Sequence, residues 1–178
     1  MSKLTHKDGT LIRVTRGALP VLVADAKVHL RVDHSTDDDY IEASIRAVQD
    51  DLEPPNGWLG RALLAGTYKL VLPKFAGQIV LPAPPLLEIS SIKYLDKDGA
   101  EQTADTGLYR VLVGEPAVVQ LLDGESWPAT LDADDAVRIE YTAGYQALPE
   151  IIKAHIYLSV AQLYEYRSMA MAGAEAKD

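Results

Sequence analysis

Cysteine is absent from the chain, and its absence excludes three kinds of chemistry. The chain has no thiol for a disulfide, a thiolate metal ligand or a cysteine nucleophile, which is typical of proteins from a reducing compartment. Apolar residues make up 48% of the 178 residues and charged residues 24%, which is the balance of a globular chain. A chain of this length can bury a sizeable core, and it predicts one domain with room for an appendage.

Basic charge and long hydrophobic runs are also scarce. Lysine and arginine number 17 against 26 acidic residues, which gives a formal net charge of −9. Affinity for phosphates comes from basic side chains, so we expect no surface that grips DNA, although DNA could pass close by. No apolar run approaches the roughly 18 residues of a membrane-spanning helix. The polar start MSKLTHKDGT is unlike a signal peptide, and we expect a soluble cytoplasmic product without membrane contact.

Helical periodicity marks three segments, 23–32, 36–53 and 149–168. The middle segment is the clearest, because four apolar residues recur on one face: Ile41, Ile45, Val48 and Leu52. The last segment begins at Pro149, a residue suited to the first helical position. Its apolar side chains surround nearly the whole helix, which predicts burial on several sides, partly against another subunit.

Short β-strands are predicted between the second and third helices, in the region 66–145. Alternating apolar residues separated by glycine turns indicate about six of them: 67–72, 78–82, 89–96, 108–113, 117–122 and 136–145. Their spacing favours a small antiparallel sandwich or barrel over βαβ units. The fold class is therefore α+β, with two N-terminal helices, a long C-terminal helix and a small antiparallel β domain between them.

The stretch HSTDDD, residues 34–39, is either a metal site or the start of a helix. Consecutive aspartates on a helix point about 100° apart, so they cannot all face one ion. Ser35 or Thr36 suits an N-cap, and acids in the first turn interact favourably with the helix dipole. We predict that this stretch starts the helix 36–53.

Other candidate sites also have structural interpretations. DKDG, residues 96–99, resembles the beginning of a calcium loop, but the twelfth position is Gly107, which cannot ligate, so a tight turn is predicted. GESWP, residues 124–128, lacks the second glycine of a nucleophile elbow. His155 lies in the apolar helix without an evident acid partner. We predict no catalytic residue, no metal ligand, no cofactor and no enzymatic activity.

One order of motifs is specific. The motifs are ADAKVHLRVD (24–33), DDDYIEASIRAV (37–48), GRAL (60–63), LPAPPLLEISSIKYLDKDG (81–99), LYRV (108–111), WP (127–128), VRIEYTAGY (137–145) and LPEIIKAHIYLSVAQLYEYR (148–167). Together, over roughly residues 22–168, they resemble the phage head–tail connector proteins. These are the head-completion adaptors of long-tailed phages and of related prophages and gene-transfer particles.

The resemblance implies a structural virion protein and a domain organisation. Residues 22–168 would form the connector domain. Residues 1–21 lie outside the resemblance and are predicted as an arm or short strand, and residues 169–178 are predicted as a flexible tail. The family fold is a helical bundle with a small β domain. Such proteins form a ring of about twelve subunits beneath the portal of a DNA-filled head, assembled in the host cytoplasm and located in the virion neck. The ring extends the DNA channel and carries the next neck or tail protein; DNA passes without specific binding, since an acidic interior repels it.

The resemblance also implies an interface at the C-terminal helix and tail, which commonly reach toward the portal. The apolar helix and an adaptable methionine-containing tail indicate seven oligomer or portal contact residues: Tyr157, Val160, Leu163, Tyr164, Arg167, Met169 and Met171. Three alternatives stay open. One is another neck or tail component, such as a stopper or tail-end protein. The second is a small metal-binding hydrolase that uses His34 and the adjacent aspartates, and the third is a soluble interaction module of unknown partner.

Overall fold

The computed structural model describes the backbone of residues 9–175 and the side chains of residues 9–167. The chain divides into two compact units. The strand unit comprises residues up to Ala18 and Leu52–Gln146; the helical unit comprises Leu19–Asp51 and the residues from Ala147 onward. Within the described part of the chain, no helix combines the length and apolar character needed to cross a membrane.

The strand unit contains two antiparallel sheets. Among its described residues there are eight strands: β1 (Thr10–Thr15), β2 (Gly66–Leu72), β3 (Gln78–Val80), β4 (Leu86–Leu95), β5 (Glu101–Thr103), β6 (Tyr109–Leu112), β7 (Val118–Leu121) and β8 (Val137–Ala143). The larger sheet has the order β1-β2-β8-β4-β5, and the smaller one has the order β3-β7-β6. Ile79 of β3 and Val119 of β7 belong to the same hydrophobic core as the large sheet, so the two sheets share one interior.

The core follows from strict alternation in β2 and β8. Every second side chain of these strands is buried, and the register places inward residues of four strands in one row across the sheet. Successive members of the row are cross-strand neighbours: Leu11, Leu70, Ile139 and Ile92. All four are buried, so this row stabilises the sheet through apolar burial and direct cross-strand packing.

A cluster of aromatic side chains holds the chain between β7 and β8. The rings of Trp127 and Phe75 stack with centroids 4.3 Å apart and planes within 5°. Tyr94 and Tyr109 add a further ring contact each, to Phe75 and Trp127 respectively. The indole Nε1 of Trp127 donates to the Ala76 carbonyl at 2.9 Å, so the polar edge of this half-buried ring has a partner.

The strand count differs from the sequence prediction of about six. The two further strands are β1 and β5. Strand β1 lies in the segment 1–21 that was predicted as an arm or short strand, and it pairs with β2 along Thr10–Thr15. Strand β5 has only three residues, all exposed and polar, so no alternation marks it in the sequence. Its position at the sheet edge follows from the turn after β4, where the backbone N–H of Gly99 donates to the Asp96 carbonyl.

Three helices complete the fold over residues 9–175: α1 (Val23–Leu30), α2 (Asp38–Leu52) and α3 (Glu150–Glu175). With the antiparallel strands they confirm the predicted α+β class. The stripe predicted for the second helix is buried at all four positions: Ile41, Ile45, Val48 and Leu52. Helix α1 ends two residues earlier than predicted because Arg31 adopts a left-handed conformation at φ 58° and closes the helix.

The start of α2 confirms that HSTDDD begins a helix, but the predicted cap is wrong. The helix begins at Asp38, so neither Ser35 nor Thr36 is the residue that immediately precedes it. Asp37 takes that place, and its carbonyl accepts the first helical hydrogen bond from the Ile41 N–H at 2.9 Å. The carboxylate of Asp37 is directed to partners on α3, described below.

The end of α3 also differs from the prediction. The helix was expected to end at residue 168 and to be followed by a flexible tail, 169–178. It continues to Glu175, so the backbone at Met169 and Met171 is helical, while residues 176–178 lie outside the described residues. Alanine, methionine and glutamate are strong helix formers, and the segment MAMAGAE contains six of them around a single glycine.

Candidate interaction surface

The C-terminal half of α3 is tied to the start of α2 through the Asp37 carboxylate. Its Oδ2 accepts a hydrogen bond from the Tyr164 hydroxyl at 2.7 Å, and its Oδ1 accepts one from Arg167 Nη1 at 3.0 Å. The Tyr40 hydroxyl donates to the Leu163 carbonyl at 3.0 Å. The Arg167 guanidinium carbon lies 4.3 Å from the centre of the Tyr40 ring, a cation–π distance. We call this group (Asp37, Tyr40, Tyr164 and Arg167) the Asp37 cluster.

The Asp37 cluster favours the ionised carboxylate. The hydrogen bond from Tyr164 is the largest cause that holds the pKa of Asp37 below its ordinary value of 3.8; Arg167 acts in the same direction, and partial burial opposes both. The same hydrogen bond is the main reason why the pKa of Tyr164 is raised. Two side chains that were predicted to contact other proteins, Tyr164 and Arg167, are thus engaged inside the chain.

Asp37→Asn tests this cluster through the pH dependence of stability. The folded-state pKa lies below the unfolded one, so the contribution of Asp37 is fully present above about pH 4 and is lost as the pH falls through the lower folded value. We expect the variant to melt at a lower temperature than the parent at pH 7, with the difference shrinking below pH 4. Thermal melts from pH 7 to pH 2 measure this difference.

Asp33→Asn is the matched control, because Asp33 is exposed on the same segment of chain. It should leave the melting temperature close to that of the parent across the whole pH range. Equal melting temperatures of the Asp37→Asn variant and the parent at pH 7 would contradict a stabilising role for the cluster.

The other predicted contact residues occupy different environments. Tyr157 stacks on His29 of α1, with ring centroids 5.3 Å apart. Val160 is 1% exposed, so it faces the interior and offers no surface to another protein. Leu163 is 38% exposed. The side chains of Met169 and Met171 lie outside the described residues.

Two of the three aspartates of the alternative metal site, Asp37 and Asp38, have partners within the chain. Asp38 Oδ1 lies 2.6 Å from Lys27 Nζ, and Asp37 is held in its cluster. His34 Nε2 is 4.0 Å from Asp37 Oδ2, at the outer limit of an ion pair. In the part of the chain with described side chains, no group of three or more His, Asp or Glu residues is arranged to hold a metal ion.

Exposed apolar residues that were missing from the predicted contact residues lie on α3 and α1. Ile151 is 79% exposed and Leu158 is 64% exposed on α3, while Val28 is 80% exposed on α1. The sequence showed apolar residues all round the last helix and so did not reveal which side is solvent-facing. Burial of Ile156 and Val160 settles that orientation. Leu158 follows the buried Ile156 by two residues, so it points to the opposite side of the helix.

The motifs GRAL, LPAPPL and TAGY meet in the strand unit. Three backbone hydrogen bonds join them: Ala62 N–H to Pro84 O (3.1 Å), Gly144 N–H to Pro85 O (2.9 Å) and Tyr145 N–H to Leu63 O (3.0 Å). Gly144 has a φ of +138°, and an added Cβ would collide with the Leu64 backbone. These motifs therefore shape the crossing of three chain segments.

Comparison with known proteins gives structural matches only. No protein-family model matches the chain, and no significant relative was found among curated proteins. A chain from the neck of an empty gene transfer agent (GTA) particle, computed with C6 symmetry, is 23% identical with a TM-score of 0.72; the match covers 88% of this chain and 84% of that one. A chain from the virion of the native particle is 24% identical with a TM-score of 0.64, covering 88% and 84%. A chain from the neck of the native particle, computed with C12 symmetry, is 24% identical with a TM-score of 0.64, covering 88% and 83%. At this identity the likeness establishes a shared fold, which this chain has along most of its length.

Proposed function

We propose that this protein is a structural component of the neck of a phage-like particle, in which it acts as a head-completion adaptor. The observation that carries the proposal is the fold shared with neck chains of GTA particles over 88% of the sequence. A fold by itself does not define a function. The order of motifs in the sequence is a second, independent observation, because it resembles that of the phage connector proteins. In this role the chain is not an enzyme, and it uses no catalytic residue or cofactor.

The adaptor works by assembly. About twelve copies form a ring that binds the portal of a DNA-filled head, extends the DNA channel and carries the next neck or tail protein. The C12 symmetry used for one matching neck supports a ring of this size. The arrangement implied by the family, a helical bundle with an inserted β domain, is part of the same proposal. Assembly takes place in the cytoplasm of the bacterial host, and the ring then resides in the virion neck.

The charge of the chain suits a channel through which DNA moves. A net charge of −9 on each copy multiplies in a ring and repels the phosphate backbone, so DNA slides through without specific binding. This repulsion permits both packaging and release.

The portal contact is assigned to the end of α3, including Met169 and Met171. The Asp37 cluster fixes the helix up to Arg167, and the eight residues to Glu175 add about 12 Å of helix. Leu163, Tyr164 and Arg167 then act mainly by holding that helix in place. Truncation after Arg167 retains the cluster and should preserve the fold while weakening portal binding at least about tenfold.

Portal binding by the truncated and the full-length chain can be compared directly by titration, with melting temperature as the measure of fold. The matched control is Val113→Asp, which changes an exposed apolar residue of the strand unit and should bind the portal as the parent does. Portal binding of the truncated chain equal to that of the full chain would remove the tail from the contact.

Native mass spectrometry tests the proposed function itself. The purified chain is measured alone and mixed with the portal protein encoded beside it. We expect a complex in which copies of this chain match the portal subunits in number, even if the free protein is monomeric. No complex over a range of salt concentrations would contradict the adaptor function.

A further inference from the structure

One side of α3 is apolar and faces away from the interior of the chain. Ile151 and Leu158 are two turns apart, about 10 Å along the same side of the helix, with Ala154 between them. Leu158 and the buried Ile156 lie about 160° apart around the helix axis. We call the exposed side formed by Ile151, Ala154 and Leu158 the outer face of α3.

The outer face carries no formally charged side chain, and the exposed imidazole of His155 lies at its border, one turn after Ile151. Between Ile151 and Tyr164 the only formally charged side chain is Lys153, which is paired with Glu150 at 2.7 Å. Glu165 is the first charge further along the helix. On the neighbouring helix α1, Val28 is 80% exposed. An uncharged apolar surface is therefore presented to solvent by a chain whose net charge is −9.

An exposed apolar surface is typical of a contact with another protein, and the net charge of the chain indicates which protein that is. Two copies of this chain repel each other through their acidic surfaces, so they can approach closely only where charge is absent. A basic partner would be attracted electrostatically to the acidic surfaces of the chain and not to the uncharged outer face. We infer that the outer face of α3 contacts a second copy of this chain in the ring, an inference that rests on the proposed function.

The contact in a closed ring is heterologous, so the outer face meets a different surface of the next copy. A photocrosslinker placed at the border of the face can therefore capture that copy. Gln162 is exposed and lies one turn beyond Leu158, and the chain has no native cysteine to compete for the label. The Gln162→Cys variant is labelled with a benzophenone maleimide, assembled with the portal and irradiated. Val113→Cys, labelled in the same way, is the control on the strand unit.

We expect the label at position 162 to join two copies of this chain in the assembled complex but not in the dilute free protein. We also expect Leu158→Glu to weaken the contact between copies about a hundredfold, since it places an unpaired carboxylate in an apolar contact. Val113→Glu adds the same charge at an exposed site and should assemble as the parent does.

The outcomes separate this inference from the proposed function. A crosslink from position 162 to the portal would assign the outer face to the portal and overturn the inference. Two further results would overturn the inference while the adaptor function stands. One is a complex in which the label at position 162 gives no more crosslinked copies than the Val113→Cys control. The other is a Leu158→Glu variant that assembles as well as the parent. Failure of the parent chain to assemble with the portal at all would overturn both.

Discussion

Replacing Glu53 with alanine is expected to lower the free energy of unfolding by about 3–5 kcal/mol, because it removes a fully buried carboxylate that is ion-paired with Arg13 and accepts a backbone hydrogen bond. The Glu53 side chain is fully buried, and its Oε2 lies 3.1 Å from Arg13 Nη1. Its Oε1 accepts a hydrogen bond from the Leu63 backbone N–H at 2.8 Å. The variant therefore removes the acceptor of a half-buried guanidinium on β1 and of a buried backbone N–H in the GRAL motif.

Urea unfolding of the variant and the parent measures this loss. Glu53→Gln retains an acceptor for the Leu63 N–H and should lose less stability than Glu53→Ala. The control is Glu42→Ala, which removes an exposed i,i+4 pair with Arg46 on α2 and should cost about 0–1 kcal/mol. If Glu53→Ala loses no more unfolding free energy than the control, the contacts of Glu53 do not stabilise the fold.

The second large effect is expected at Ile139, in the central strand β8. Ile139 is fully buried and has Leu70 on one side and Ile92 on the other as direct cross-strand neighbours. Truncation to alanine removes apolar contacts and leaves a cavity that β2 and β4 cannot close, since both strands are fixed by their ladders with β8. The expected loss is about 2–5 kcal/mol in the free energy of unfolding, measured by denaturant titration.

Ile12→Ala provides the comparison on the same sheet. Ile12 is 45% exposed on the edge strand β1, so the same truncation should cost much less than at Ile139. Similar costs at the two positions would contradict the assignment of the sheet interior to the row that contains Ile139.

Helix α2 and the central strands could be predicted from the sequence because their signals are periodic and local. The stripe that begins at Ile41 and the alternation of β2 and β8 each repeat over several residues. The short strand β5 could not be predicted, because its three exposed polar residues show no alternation. The pairing of β1 could not be predicted either, because its partner β2 lies more than 50 residues further along the chain.

The contacts of the candidate surface could also be predicted only in part from the sequence. The sequence correctly indicated an apolar last helix, but it could not say that Tyr164 and Arg167 bind Asp37, which lies 127 and 130 positions earlier. Nor could it separate the buried Val160 from the exposed Leu158, because both are apolar residues on one helix. The environment of each side chain is decided by tertiary packing.

The aromatic contact of Trp127 changes the physical nature of the segment between β7 and β8. That connection spans residues 122–136, a length at which an unsupported loop pays a considerable entropy cost on closure. Trp127 fixes it on Phe75, and the Leu131 N–H fixes it again on the Leu95 carbonyl at 3.0 Å. The connection thus behaves as three short arcs, 122–126, 128–130 and 132–136, each no longer than an ordinary turn between strands.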